Sequence, residues 1–438
     1  TSIGADAGTY ATGSWNTFVG SHAGKGATTS APYSSGQYNT AVGYNALAGF
    51  TTGEQNVAIG SSAASNLTTG YYNTIVGNGA KSGTTGVNNT MIGRAAGASM
   101  TTAQKITAVG ATTFNYLTAA TDSTAIGYDA GEYATGSYNT FVGSLAGQGG
   151  ITSAPYSSGI NNTGLGYGTL KGFTTGNNNT ALGYNAATAL TSGFSNVVIG
   201  VDAGDAMTDV DNTVLIGQSA GGAINSADAD GTVAIGYHAG TAITSGQYNT
   251  IIGYRAGDAM STSDQNTIIG YNAGTSLVTT GAQGSTLIGY QAGEDLTSGA
   301  YNTAIGRGAL RTMTTGQGNI AIGDQAMQYP PASTAINHVI GIGYAALNDA
   351  STLSTAANES IAIGFGAGTN AGNLAGEFVL IGSLAGRKYN GVGSTIIGYN
   401  AGQYASGSNN TFIGYKAGEG ATTSAPFSSG IYNTFVGA

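Results

Sequence analysis

The sequence predicts an all-β fold, a parallel β-solenoid of about 25 coils with 16–23 residues each, running through residues 1–438 as one continuous repeat array. Two observations carry this. One short phrase, an aliphatic residue followed by Gly, occurs in 25 copies, from Ile3-Gly4 to Val436-Gly437. The spacing between successive glycines is most often 17 residues, as in Gly43, Gly60 and Gly77, with three steps of 23. A repeat this short is too small to bury a core alone and must stack on its neighbours.

Composition narrows the class. Gly accounts for 76 of 438 residues; each one inside a helix costs roughly 1 kcal/mol relative to Ala, which argues against a helical protein. Only 7% of residues are charged, against about 25% in ordinary soluble domains. Hydrophobic residues make up 41% and the net charge is −9, a poor fit to disorder. The acidic balance argues against nucleic acid as a partner. No apolar stretch approaches the roughly 20 residues that span a bilayer. Cysteine is absent, so neither disulfides nor thiolate metal sites are available.

The consensus coil reads Asn-Thr-x-Ile-Gly-Tyr-x-Ala-Gly, an apolar residue, and a Thr-Thr-Gly or Thr-Ser-Gly turn before the next Asn-Thr. Two short strands of four or five residues and two tight turns would use up this length. The Gly after the aliphatic residue marks a second bend or a close backbone approach. The residue before that Gly is Ile, Val or Leu in all 25 copies, and two places earlier stands Thr in 17 and Val or Ile in 8. Residues two apart share a strand face, so this pair is expected to point into the core.

The slot between them is then expected to face outward. It is apolar in 22 of 25 copies and holds Phe18, Ile75, Met91, Phe141, Leu215, Ile251, Ile268, Leu287, Leu380, Ile396, Phe412 and Phe435. Such a stripe exceeds what a soluble monomer exposes, and a homotrimer interface is the expected cover. Asn stands just before the strand in 15 of 24 copies, which suggests a buried ladder of stacked side chains. The sequons this creates, such as Asn88-Asn89-Thr90, read as by-products of the ladder.

An Asn-Thr-x-Ile-Gly phrase repeated over essentially the whole chain resembles the head repeats of trimeric autotransporter adhesins. In style it is closer still to the arrays of bacteriophage tail fibres and large bacterial surface proteins. The resemblance implies a left-handed parallel β-roll, three chains packed side by side, and attachment to a surface. The coil here is longer than in the adhesin heads and has Thr where they favour an aliphatic residue.

Three features stand above the repeat. Tyr follows the anchor Gly in four consecutive coils, at Tyr237, Tyr254, Tyr271 and Tyr290. A ring ladder follows from that spacing, read first as structural stacking and second as a sugar-binding strip. Asp209 and Asp211 recur one coil later as Asp228 and Asp230, a set that is either a solvated edge or a Ca²⁺ site. The 23-residue steps carry inserts ending in Ala-Pro-Tyr-Ser-Ser-Gly or its Phe variant, with Tyr33, Tyr156 and Phe427 as candidate contacts for a cell-surface receptor or glycan.

An enzyme is not expected. The three His, at 22, 238 and 338, lie in different parts of the array, and the sequence brings no Ser-His-Asp set or metal-type His pair together. The expectation is therefore a non-catalytic extracellular fibre, the shaft or head of an attachment protein on a cell or virion surface. A polymerising matrix filament is the alternative, and an ice-binding solenoid a lesser one, since alternation of Thr with Val and Ile argues for burial of that slot.

Overall fold

The computed structural model describes residues 1–27, 33–150, 157–278, 282–329, 336–348, 358–371, 377–420 and 429–437. Two compact units are present. The first comprises Thr1–Thr213 with Asn225–Ala227, the second Val214–Ile224 with Asp228–Ala438. Both are parallel β-solenoids. No helix among the described residues is long and apolar enough to cross a membrane; the one helical element they include is the 3-10 turn Ala227–Ala229.

Each coil contributes a single strand, three residues long in all but the first. In the first unit, Thr40–Val42 pairs in parallel with Thr17–Val19 and Val57–Ile59; in the second, Thr250–Ile252 pairs with Val233–Ile235 and Thr267–Ile269. Register is slot to slot, so equivalent residues form columns at a rise of about 4.8 Å. Where a second strand was expected, the described residues form turns and isolated parallel bridges such as Val87 with Gln104 and Gln104 with Thr121. These still bond between coils: His22 N–H donates to Ala5 and Gly24 N–H to Ala46, both at 2.8 Å. Two residues per turn take positive φ, as Asn45 and Leu47 do at 53° and 52°.

The strand faces are the reverse of the sequence expectation. Thr40 and Val42 are half-buried and Ala41 is fully buried; Thr250, Ile251 and Ile252 repeat the pattern. Phe18, Ile75, Met91, Phe141, Leu215, Ile251, Ile268, Leu287, Leu380, Ile396 and Phe412 all lie inside their own chain and form no outward stripe. Phe435, in the last coil described, is the one of the twelve that is exposed, at 51%. A three-residue strand sets one side chain against two on the opposite face, and here the single middle side chain is the one that fills the interior.

Side-chain volume is shared between that inward slot and the residue six further on, which also points into the core. Where the strand supplies Phe141, the later position is Gly147; Leu215 matches Gly221, and Leu380 matches Gly386. A β-carbon on Gly221 would lie 2.8 Å from Leu215 Cδ2. Where the strand supplies Ala41, Ala108, Gly164 or Ala304, the later position is Leu47, Phe114, Leu170 or Leu310, each fully buried despite positive φ. Filling the core outweighs the 1–2 kcal/mol that a left-handed residue costs.

The anchor Gly meets two constraints at once. Gly60 has φ +130°, and a β-carbon there would sit 2.7 Å from the carbonyl oxygen of Gly77 in the next coil. Only Gly adopts this conformation at low cost, and only Gly permits the approach.

The Asn ladder is present. Asn56 Nδ2 donates to Asn39 Oδ1 at 3.1 Å and to Gly70 O at 2.9 Å, and Asn56 N–H donates to the same Asn39 oxygen at 3.0 Å. Asn266 repeats both bonds to Asn249 Oδ1 in the second unit, at 2.9 and 3.3 Å. Ser can supply the acceptor alone, as Ser123 Oγ does for Asn139 N–H.

Candidate functional site

In both units the strand turns two columns outward: Thr, Val or Ile at its first position, and Ile, Val or Leu at its third. Neither column contains a charged residue. Within the arrays, exposure of the third column is 40% at Ile59 and reaches 46% at Leu165. The arrangement is a ribbon of methyl groups and hydroxyls, repeating once per coil. Its side chains offer apolar contact and the Thr hydroxyls, repeated once per coil.

Beyond the anchor Gly stands the tyrosine column. Rings of Tyr237, Tyr254, Tyr271 and Tyr290 follow one another at centroid distances of 5.0, 5.0 and 5.3 Å, with planes 6–13° apart. They are 40–49% exposed. The ladder is as expected, but its geometry weighs against a sugar platform. Stacked rings cover one another's faces and offer only edges, whereas a pyranose packs on an open face. The column continues through Arg307 and Asp324, joined by two hydrogen bonds of 3.0 and 2.9 Å.

Of the insert aromatics, Tyr156 and Phe427 lie outside the described residues. Tyr33 is exposed and stacks on Tyr10, centroids 5.9 Å apart and planes at 23°. Buried serines close two inserts onto the coil. Ser34 Oγ accepts from Ala27 N–H at 3.0 Å, and Ser157 Oγ accepts from Gly150 N–H at 2.9 Å while donating to Phe173 O at 2.6 Å.

The four aspartates divide between the units: Asp209 and Asp211 belong to the first, Asp228 and Asp230 to the second. Asp211 Oδ1 accepts from Phe194 N–H in the preceding coil at 2.8 Å. Asn177 and Asp264 do the same for Ile160 and Gln247, so this slot recurs as a backbone acceptor. Among the described residues, no three His, Cys, Asp or Glu side chains gather as a metal ion would need.

One grouping escaped the sequence reading. Ser21 Oγ lies 3.0 Å from His22 Nδ1, and His22 Nε2 lies 3.2 Å from Asp6 Oδ2, one coil earlier. Half the Asp6 side chain and a third of His22 are open to solvent. Water screens so exposed a carboxylate and weakens its hold on the imidazole. The only signal in the sequence was the 16-residue step that places Asp6 beneath His22. No protein-family model matches the sequence, and no curated protein matches it either.

Proposed function

We propose that this chain is a non-catalytic extracellular structural fibre, the shaft or head of a surface-attachment protein, in which three copies pack side by side through the outward strand face. The observation that carries the reading is the uncharged, half-exposed double column of Thr and aliphatic side chains. Soluble monomers rarely expose more than a few hundred Å² of contiguous apolar surface, and this column recurs at every coil of either unit. A second copy of the same ribbon is its natural cover, because a periodic surface complements itself at every coil. The stoichiometry of three and the surface setting rest on the resemblance to trimeric adhesin heads and tail-fibre arrays. Light scattering on the purified chain tests it: a trimer mass is expected, and a monomer at micromolar concentration defeats the packing. Electron microscopy distinguishes discrete fibres from the indefinite filaments of a matrix protein.

A second reading gains from one observation. Thr was expected inside, which spoke against ice binding; the structure turns the Thr column outward beside the aliphatic column. A flat, regular array of methyls and hydroxyls is the surface chemistry that orders water. Thermal hysteresis by a monomeric chain would favour this reading over the fibre.

A further inference from the structure

We propose that the ladder Tyr237–Tyr254–Tyr271–Tyr290 is a site of oxidative coupling, at which a peroxidase and hydrogen peroxide join stacked phenols of successive coils into dityrosine. The proposal concerns a single chain and does not depend on the fibre reading. Its basis is that the four rings are at once accessible, parallel and held at the coil spacing. Each is 40–49% exposed, successive centroids are 5.0–5.3 Å apart, and the planes lie within 13° of parallel. Among the described residues, none forms a hydrogen bond to any of the four hydroxyls, so each phenol is open to an external oxidant.

The chemistry balances without any group from the chain beyond the phenols. The oxidised peroxidase removes one electron and one proton from each of two phenols, leaving two phenoxyl radicals. A carbon–carbon bond forms between their ortho carbons, the Cε atoms. Each ring then moves the hydrogen from that carbon to its oxygen and recovers the phenol. Two phenolic hydrogens and one hydrogen peroxide become two waters, with one new bond between the coils.

Proximity decides where coupling occurs. A radical fixed about one coil from a second phenol meets it at a far higher effective concentration than any free tyrosine in dilute solution. Tyr138 and Tyr248 make the comparison: they are more exposed, at 54% and 59%, yet neither stacks on another ring among the described residues. The chain has 26 Tyr and no Cys, so a disulfide cannot tie its coils together whereas phenol coupling can.

The test treats the dilute full chain with a haem peroxidase and limiting hydrogen peroxide, followed by proteolysis and mass spectrometry. Expected are peptide pairs two hydrogens lighter than their sum, joining Tyr237 to Tyr254, Tyr254 to Tyr271, or Tyr271 to Tyr290. The chain keeps its single-chain mass on a denaturing gel. The double variant Tyr254→Phe, Tyr271→Phe preserves ring stacking, and circular dichroism verifies its fold; all three links should vanish from it. Coupling at Tyr138 and Tyr248 as often as in the ladder overturns the proposal. So does linkage chiefly between chains, or absence of all three ladder pairs from the wild-type digest while the stacked pairs Tyr116–Tyr133 and Tyr167–Tyr184 couple.

Discussion

Asn73 and Asn56, seventeen residues apart in sequence, share one oxygen: Asn56 Oδ1 accepts from Asn73 Nδ2 at 2.9 Å and from Asn73 N–H at 3.1 Å. Asn73 Nδ2 also donates to Gly86 O at 2.8 Å, and its Oδ1 accepts from Asn89 N–H at 3.0 Å. One fully buried side chain thus satisfies groups in the coils on both sides.

Asn73→Ala should therefore cost about 2–4 kcal/mol, because it strands several buried polar groups at once. Asn73→Ser should cost less, since Ser keeps an acceptor for Asn89 N–H, as Ser123 does for Asn139. Repeat arrays do not unfold in two states, so hydrogen exchange across residues 56–89 is the suitable measurement. Equal protection in the two variants would show that the acceptor is not what matters.

The anchor glycine yields a second prediction. Gly60→Ala forces a β-carbon into φ +130° and against Gly77 O, at about 1–3 kcal/mol for the backbone conformation before any displacement of the next coil. Gly79 is the control: its φ is also positive, at 67°, but a β-carbon there meets nothing within 4 Å. Gly79→Ala should cost less than Gly60→Ala in thermal melting.

How much of this was legible differs by level. The coil, its parallel stacking and the Asn and Tyr ladders follow from spacing, because one slot per coil becomes one column. The facing of the strand did not follow, since Thr40-Ala41-Val42 and Thr250-Ile251-Ile252 are compatible with burial of either side. A usable signal was present in the pairs Phe141 with Gly147 and Ala108 with Phe114. Size exchange six residues apart marks two positions filling one interior. The left-handed conformations of Leu47 and Phe114 had no such signal, because neither residue favours them and tertiary packing imposes them.

Acidity should act through Asp205 and Asp295. Burial raises the carboxyl pKa of Asp205, and neighbouring Asp202 adds to it; burial likewise raises Asp295, with Glu294 adding and Arg311 opposing. A carboxyl raised in the folded state binds its proton more tightly there than in the unfolded chain. Its contribution to stability is full below the unfolded pKa and is lost as pH rises through the folded value. Asp205→Asn should then raise the melting temperature at pH 7 and change it little at pH 3. A larger gain at pH 3 would contradict the assignment.

Opposite faces of one strand provide the sharpest test of the assembly. Ile252, Ile269 and Ile288 stand outward and half-buried in three successive coils, while Ile251, Ile268 and Leu287 beside them are fully buried. Replacing the outward three with Asp places charges where water can reach them in a lone chain, so the solenoid should keep its circular dichroism. Between packed copies the same charges would be buried without partners, at several kcal/mol for each chain, and the assembly should fall apart to monomers. Ile268→Asp alone should instead unfold its coil, with loss of hydrogen-exchange protection across residues 251–290. An outward triple variant that keeps the wild-type particle mass in light scattering would remove this face as the interface. A folded Ile268→Asp chain with intact protection would overturn the inward assignment itself.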